Sequence, residues 1–262
     1  MKIHSTAIVD ARAELADDVE VQPYTIIGPQ VRIGAGTVVG PHCVLDGRTV
    51  IGENNRIFSG AQIGVLCQDL KHHPDMTGRC IIGDNNQIRE HVTISASSME
   101  SAEDDERATS LGSDCLLMAY AHIAHDCHVG DSVIMANSAT LAGHVDIESY
   151  VTLSGLVAVH QFCAVGMYAF VGGLSRVTMD VLPYMMVEGN PPHCYGPNSV
   201  GLRRRGFDND ARARIKQMYK IMFRSDLNTT QALNTIEATI ADSPERTHFL
   251  EFVRKSVRGV TK

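Results

Sequence analysis

An aliphatic residue stands at every sixth position over most of this chain. Counting in sixes from Ile3 meets one each time as far as Ile63, and a second run from Leu111 to Val177 is equally unbroken. Between the runs, Ile82, Ile88 and Ile94 keep the step. Twelve consecutive hits would arise by chance less than about once in 100,000 trials if aliphatics filled a third of positions. Four places after the aliphatic stands a small or β-branched residue, such as Thr25, Thr37, Ala61, Ala121, Ala139, Val151 or Ser175, and the residue directly after it is often Gly. Neither the period of two of a simple strand nor the 3.6 of a helix gives this pattern. It is a hexapeptide repeat: each hexad makes a short strand and a turn, and three hexads close a triangular coil. The pattern predicts a left-handed parallel β-helix with coils about 4.8 Å apart. The aliphatics fill the prism, the small residues pack at its corners, and the glycines are expected to relieve unusual backbone angles in the turns.

The register breaks twice, over about 65–80 and about 97–110, so two loops leave the prism. The second carries Glu100, Glu103, Asp104, Asp105 and Glu106 and reads as a solvated acidic segment. The hexads end near Pro183, and after Asn190-Pro191-Pro192 the period becomes helical. Asp208 is placed to cap a helix with Ile215, Met218 and Met222 on one face, and Thr229 a second with Leu233, Ile236 and Ile240. Ser243-Pro244 opens a third, with Leu250, Val253 and Val257, ending at Gly259. The expected division is a β-helix over 1–190 and a C-terminal α-helical domain over 191–262 that covers one end of the solenoid.

Composition narrows the function by exclusion. The 262 residues are only 5% aromatic, with no Trp, which suits a thin aliphatic interior. Lys and Arg number 23 against 30 Asp and Glu, for a net charge of -7, so bulk attraction to nucleic acid is not expected. No apolar run approaches the roughly 20 residues of a transmembrane segment, and the N-terminus lacks a signal-peptide pattern. Seven cysteines without a Cys-x-x-Cys pair suggest reduced thiols and a cytoplasmic setting.

The most informative stretch is His122-Ile123-Ala124-His125-Asp126-Cys127-His128. Residues 18 apart share a place on successive coils, so His125 lies in one column with Gly143 and Gln161. Asp126 lies in the next with His144 and Phe162. A His–Asp pair beside a glycine N–H suits acyl transfer to a hydroxyl. The imidazole takes the hydroxyl proton, the carboxylate fixes the tautomer, and the N–H stabilises the oxyanion. No protein nucleophile is then required. Cys127 falls at the small inward position, like Cys43, Cys115 and Cys163, and reads as structural.

Two readings from other classes stand beside this one. Histidines can hold zinc, as in hexapeptide-repeat carbonic anhydrases. Here, however, His122 and His128 occupy successive hexads on different faces, so within one chain they do not close on an ion. The solenoid could also be a scaffold without catalysis.

Several motifs are more specific than the repeat. They are Gln68-Asp69-Leu70-Lys71, Ala121 to Cys127, Leu141-Ala142-Gly143-His144, Val159-His160-Gln161-Phe162, Glu188-Gly189-Asn190 and Gly201-Leu202-Arg203-Arg204-Arg205-Gly206-Phe207. In this order, with the helical tail, the chain resembles the UDP-N-acetylglucosamine O-acyltransferase family of lipid A biosynthesis. The resemblance implies that a 3-hydroxyacyl chain moves from acyl carrier protein to the sugar 3-hydroxyl of UDP-N-acetylglucosamine, without a cofactor or metal. An N-acyltransferase acting on a UDP-amino sugar is the alternative. The resemblance makes His125 the general base, Asp126 its partner and Gly143 the oxyanion donor. Asp69, Lys71, His122, His144, His160 and Gln161 would line the substrate site, and Asn198, Arg204 and Arg205 would hold the nucleotide and diphosphate. Gly173 would influence acyl length. A homotrimer with sites between prisms is implied. The basic residues of the tail, Lys216, Lys220, Arg224, Arg254, Lys255 and Arg258, would face the acidic carrier. The chain departs from the usual family pattern over 72–77, over 95–99 and at Val200.

Overall fold

The computed structural model describes residues 1–70, 78–98 and 108–262. The chain forms the expected left-handed parallel β-helix with helices in its C-terminal region. Short strands distribute in turn onto three faces, so each strand pairs in parallel with the third one along. The first face begins Lys2–Ile3 and Glu20–Val21, the second Ile8–Val9 and Ile26–Ile27, the third Glu14–Leu15 and Arg32–Ile33. The 18-residue step is thus the hydrogen-bond register itself. Across the first excursion partners lie 31 apart (Ile57 with Ile88), and across the second 29 apart (Ile82 with Leu111). The excursions therefore insert 13 and 11 residues without disturbing the prism. Its interior is a column of aliphatics such as Ile27, Leu45, Ile63, Ile94, Ile123 and Leu141, all at most 1% exposed. Each contributes about 1.5–3 kcal/mol by leaving water. At the open N-terminal end the same position, Ile3, is 42% exposed.

The glycines do not do what the pattern suggests. Of those directly following the aliphatic, only Gly64 has positive φ. The others are small because the next coil is close: a Cβ on Gly34 would lie 2.7 Å from the Gly52 carbonyl carbon, and one on Gly40 2.7 Å from the Ile57 oxygen. The left-handed turn conformation falls instead on the third residue after the aliphatic, which is rarely glycine. Tyr24, His42, Asn54, Asp126, His144 and Phe162 all have φ between 56° and 63°. Such residues cost about 1–2 kcal/mol each. Stacking along the corners offsets part of this, as in Tyr24 on His42 at 5.1 Å and His144 on Phe162 at 4.6 Å.

Beyond the last coil an antiparallel hairpin, Met185–Gly189 with Pro192–Pro197, extends the first face, and its turn straddles residue 190. Four helices follow: α1 (Ser199–Arg204), α2 (Asn209–Phe223), α3 (Thr229–Thr239) and α4 (Pro244–Lys255). Asp208 caps α2 and Ser243 caps α4 with Pro244 at its first turn, as expected. The cap of α3 is Asn228, in a capping box with Gln231, so Thr229 is the first helical residue and not the cap. α4 ends at Lys255, not Gly259, and Val257 is 95% exposed, off any buried face. α1 has no counterpart in the expected elements. Two carboxylates tie the helices to the prism. Glu148 accepts from His248 Nε2 (2.8 Å) and the Met167 N–H, and Asp180 accepts from the Ser256 hydroxyl (2.6 Å) and the Ala164 N–H.

Candidate active site

The five residues Ile123 to Cys127 turn the chain from the second face to the third. At this histidine corner, His125 Nδ1 lies 2.7 Å from Asp126 Oδ2, and both side chains are about 15% exposed or less. With Nδ1 donating to the carboxylate, Nε2 is left as the nitrogen able to accept a proton. One coil on, the Gly143 backbone lies against the ring: a Cβ at 143 would come 2.5 Å from His125 Cε1 and 2.7 Å from Nε2. Only glycine lets the ring lie there. His144 crosses His125 edge to face at 5.2 Å, with its Nε2 3.7 Å from Asp126 Oδ2.

Why the Gly143 N–H is available follows from the repeat. The second residue after the aliphatic contributes no N–H to the strand ladder, and elsewhere it is proline: Pro23, Pro29, Pro41 and Pro183. At some positions that N–H goes to a side chain of the next coil, as from Ser113 to Asp131, and at others, such as Asn137, Gly155 and Gln161, no hydrogen bond among the described residues takes it. Among the described residues, no hydrogen bond takes the Gly143 N–H. The glycine that carries it packs against the His125 ring.

Burial alone would raise the Asp126 pKa, but hydrogen bonds from Ser98 and His125, with His144 nearby, outweigh it and hold the carboxyl below its usual range. Asp126 therefore stays charged beside the imidazole. His122, on the second face, gives Nδ1 a 2.7 Å contact with the Thr93 hydroxyl. Burial, then the neighbouring His125, push its pKa down against the hydrogen bond with Thr93. The ligand atoms of His125, Asp126 and His144 lie within 4.8 Å of one another, close enough for a metal ion. The 2.7 Å contact, though, is the length of a hydrogen bond, which needs a proton on Nδ1. His122 and His128 are on the second and third faces, apart from each other.

His160 and Gln161 follow at the same corner one coil above Gly143, with Gln161 exposed and His160 Nδ1 3.1 Å from the Gln161 carbonyl. Asp69 is half-buried near Cys67, whose thiol is raised by burial and, further, by the charges of Asp69 and Asp126. Asp69 thus flanks the site. Lys71 lies outside the described residues, as do residues 72–77 and the acidic residues Glu100, Glu103, Asp104, Asp105 and Glu106. Gly173 is exposed at the corner between the first and second faces, and an added Cβ would meet only the Gly155 oxygen, at 3.4 Å.

Asn198, Arg204 and Arg205 are not brought to the histidine corner. They line a cavity of about 630 Å³ on the first face, with Ile134, Thr152, Phe170 and Met186, and with Tyr150 and Tyr168 at the corner between the third and first faces. In a triangular prism the histidine corner is the vertex opposite the first face, so the prism itself stands between the two groups. Asn198 caps α1 by accepting from the Gly201 N–H, and its amide donates to the Tyr168 carbonyl (3.0 Å). The Arg205 guanidinium lies 4.9 Å over the Tyr150 ring, which stacks on Tyr168 at 4.7 Å. Sequence reasoning missed these tyrosines. Their signal was present, because Tyr150 and Tyr168 are 18 apart and three places after an aliphatic. Thr93, Ser98 and Thr109 around the dyad were missed as well, since the excursions break the count that would place them.

Comparison with known proteins is consistent from end to end. The family model described as Udp N-acetylglucosamine O-acyltransferase; Domain 2 matches residues 180–261, and the bacterial transferase hexapeptide model matches 12–47 and 108–143. An acyl-[acyl-carrier-protein]–UDP-N-acetylglucosamine O-acyltransferase of Syntrophobacter fumaroxidans is 47% identical, with 100% of both chains covered. One of Herminiimonas arsenicoxydans is 44% identical over 99% of each. Among solved structures, LpxA of Acinetobacter baumannii is similar with a TM-score of 0.93, 41% identity and 99% of each chain covered. The UDP-N-acetylglucosamine O-acyltransferase (LpxA) of Moraxella catarrhalis has a TM-score of 0.94 and 37% identity, covering 100% of both.

Proposed function

The chain belongs to the acyl-[acyl-carrier-protein]–UDP-N-acetylglucosamine O-acyltransferase family, and from that premise we propose how its residues carry out the transfer. The enzyme moves an acyl chain from acyl carrier protein to UDP-N-acetylglucosamine, the first step of lipid A biosynthesis. His125 Nε2 takes the proton of the sugar 3-hydroxyl as its oxygen attacks the acyl carbonyl. The Gly143 N–H receives the negative charge that develops on the carbonyl oxygen. When the tetrahedral intermediate collapses, the bond to the carrier breaks and the proton returns from Nε2 to the leaving group. Asp126 keeps Nδ1 protonated throughout and stabilises the transient imidazolium. His144 and Gln161 border the acyl or sugar path, with His122 and His160 flanking it. Asp69 contacts the sugar from the base of the first excursion, and the role of Lys71 is a contact with the sugar or the phosphates. The observation that carries this reading is the 2.7 Å His125–Asp126 hydrogen bond with the Gly143 backbone against the far side of the ring.

The separation of the arginine cavity from the histidine corner supports a second element. Asn198, Arg204 and Arg205 of one copy meet His125 of another, so the site is completed in a homotrimer packed through prism faces. Tyr150 and Tyr168 then border the nucleotide, and the guanidinium groups meet the diphosphate. Of the basic residues facing the carrier, Lys216, Lys220 and Lys255 are exposed. Arg224 stacks on Tyr219, Arg254 pairs with Glu237 and Arg258 donates to the Thr178 carbonyl, so the lysines carry most of that attraction. Open space at Gly173 favours a longer acyl chain. The setting is the cytoplasm, where seven free, buried thiols remain reduced.

The test offers the purified enzyme UDP-N-acetylglucosamine with carrier proteins bearing 3-hydroxyacyl chains of graded length. Acyl-sugar should form with wild type and fall about a thousandfold in His125→Ala. Undiminished product from His125→Ala would overturn the mechanism.

A further inference from the structure

The catalytic dyad is held by residues that the repeat does not supply. Asp126 adopts φ +57°, and its backbone N–H donates to the Thr109 hydroxyl oxygen at 2.8 Å. Thr109 is fully buried. The Ser98 N–H donates to Asp126 Oδ1 at 3.1 Å, while Oδ2 receives His125 at 2.7 Å. Each carboxylate oxygen therefore has its own partner, and the plane of the carboxylate is set from both sides. Ser98 and Thr109 flank the second excursion.

The segment before Ser98 is itself anchored to the first excursion. The Ala96 N–H donates to the Val65 carbonyl (2.9 Å), the Ser97 N–H to the Arg79 carbonyl (3.1 Å), and the Arg79 N–H to the Ser97 hydroxyl (2.9 Å). Ser95, Ala96 and Ser97 are buried. Residues 95–98 thus form a strut between the base of the loop that carries Asp69 and the carboxylate that orients the base. Coils alone leave Asp126 with one side chain partner at the surface; the strut converts it into a fixed acceptor.

We propose that Ser98 and Thr109 are positioning residues for the dyad, holding Asp126 so that His125 keeps its proton on Nδ1 and presents Nε2 to the acceptor hydroxyl. The hydrogen bonds from Ser98 also help hold the Asp126 carboxyl in its charged form. The kinetic consequence rests on the acyl-transfer reading above; the state of the His125 ring does not.

Thr109→Val keeps the volume and removes the acceptor, and Ser98→Ala removes the hydroxyl, which hydrogen-bonds the Asp126 carboxylate beside the backbone N–H and is lost while that N–H stays; Thr109→Ser and Ser98→Thr retain the hydroxyls. Full-length enzymes are compared for kcat and for KM of the acceptor, and by ¹H–¹⁵N spectra of protein labelled at the histidine rings. Thr109→Val and Ser98→Ala should each lower kcat about tenfold and leave KM within about twofold, as loss of orientation without loss of binding requires. The downfield His125 Nδ1–H signal should weaken in both, and the conservative variants should recover rate and signal. The proposal is overturned if Thr109→Val keeps wild-type kcat and the Nδ1–H signal, if Thr109→Ser falls as far as Thr109→Val, or if KM rises with kcat intact. Should Thr109→Val not fold, Ser98→Ala decides. If wild type shows no acyl transfer, the functional reading fails while the Nδ1–H signal still answers this question.

Discussion

Two corners of one prism, built by the same six-residue rule, carry different side chains. At the histidine corner the left-handed position holds Asp126, His144 and Phe162, and the residue before it holds His125, Gly143 and Gln161. At the corner between the third and first faces the left-handed position holds Tyr150, Tyr168 and Tyr184, stacked into a column that meets Phe207 and Arg205. The backbone is the same in both. One corner presents an imidazole, a carboxylate and a glycine backbone; the other presents flat rings and a guanidinium group. The lesson is that the solenoid supplies addresses, and the side chains placed at them set what each corner can offer.

The sharpest way to break the comparison is to put a side chain where the histidine corner needs none. Gly143→Ala places a Cβ 2.5 Å from His125 Cε1, so the ring must turn away from the oxyanion position. A fall in kcat of about a hundredfold or more is expected, with the melting temperature little changed. An enzyme as active as wild type would mean that the Gly143 backbone is not at the reacting centre.

The tyrosine corner should respond differently. Arg205→Ala should raise the KM for UDP-N-acetylglucosamine about tenfold and reduce kcat less, as loss of ground-state binding does. Mixed oligomers sharpen the point. If the cavity on the first face serves the histidine corner of another copy, co-assembly of His125→Ala with Arg205→Ala chains restores some intact sites. The mixture should then exceed either parent several-fold in activity. No gain on mixing would place both groups in the service of one chain.

Acid should weaken the histidine corner. Asp126 is held below its ordinary pKa in the folded state, so its contribution to stability is complete above that ordinary value and is lost as pH falls through the lower, folded one. Asp126→Asn should therefore be less stable than wild type at neutral pH, and the gap should close on acidification. Urea melts at neutral and acidic pH measure this. The smallest effect is expected at Cys127, one residue from the dyad but inside the prism. Burial pushes its thiol up to about 12, so it should resist alkylation at pH 8, and Cys127→Ala should keep kcat within about twofold.

Much of this was legible in the sequence for one physical reason. A prism interior with room for one aliphatic and one small residue per hexad leaves a periodic imprint, from which every inward position can be counted. The same counting puts His125 under Gly143 and Asp126 under His144, because parallel strands in register keep an 18-residue step. The left-handed residue was not legible: it is Tyr, His, Asn, Asp, Ser, Leu or Phe in turn, and the corner constrains backbone more than side chain. The glycines misled, being selected by the closeness of the next coil and not by φ. The helix ends at Asn228 and Lys255 were missed by one and four residues, where several polar residues compete for the cap.

By itself the amino-acid sequence determined the solenoid, its register, the two places where chain is inserted and the residues of the histidine corner, because all of these follow from local spacing. Only the tertiary structure decided that Arg204 and Arg205 face away from that corner, since opposition across a prism is a relation between faces and not between neighbours in a count. Only it decided that Ser98 and Thr109 grip Asp126, because the residues flanking the second excursion make hydrogen bonds that no periodicity encodes.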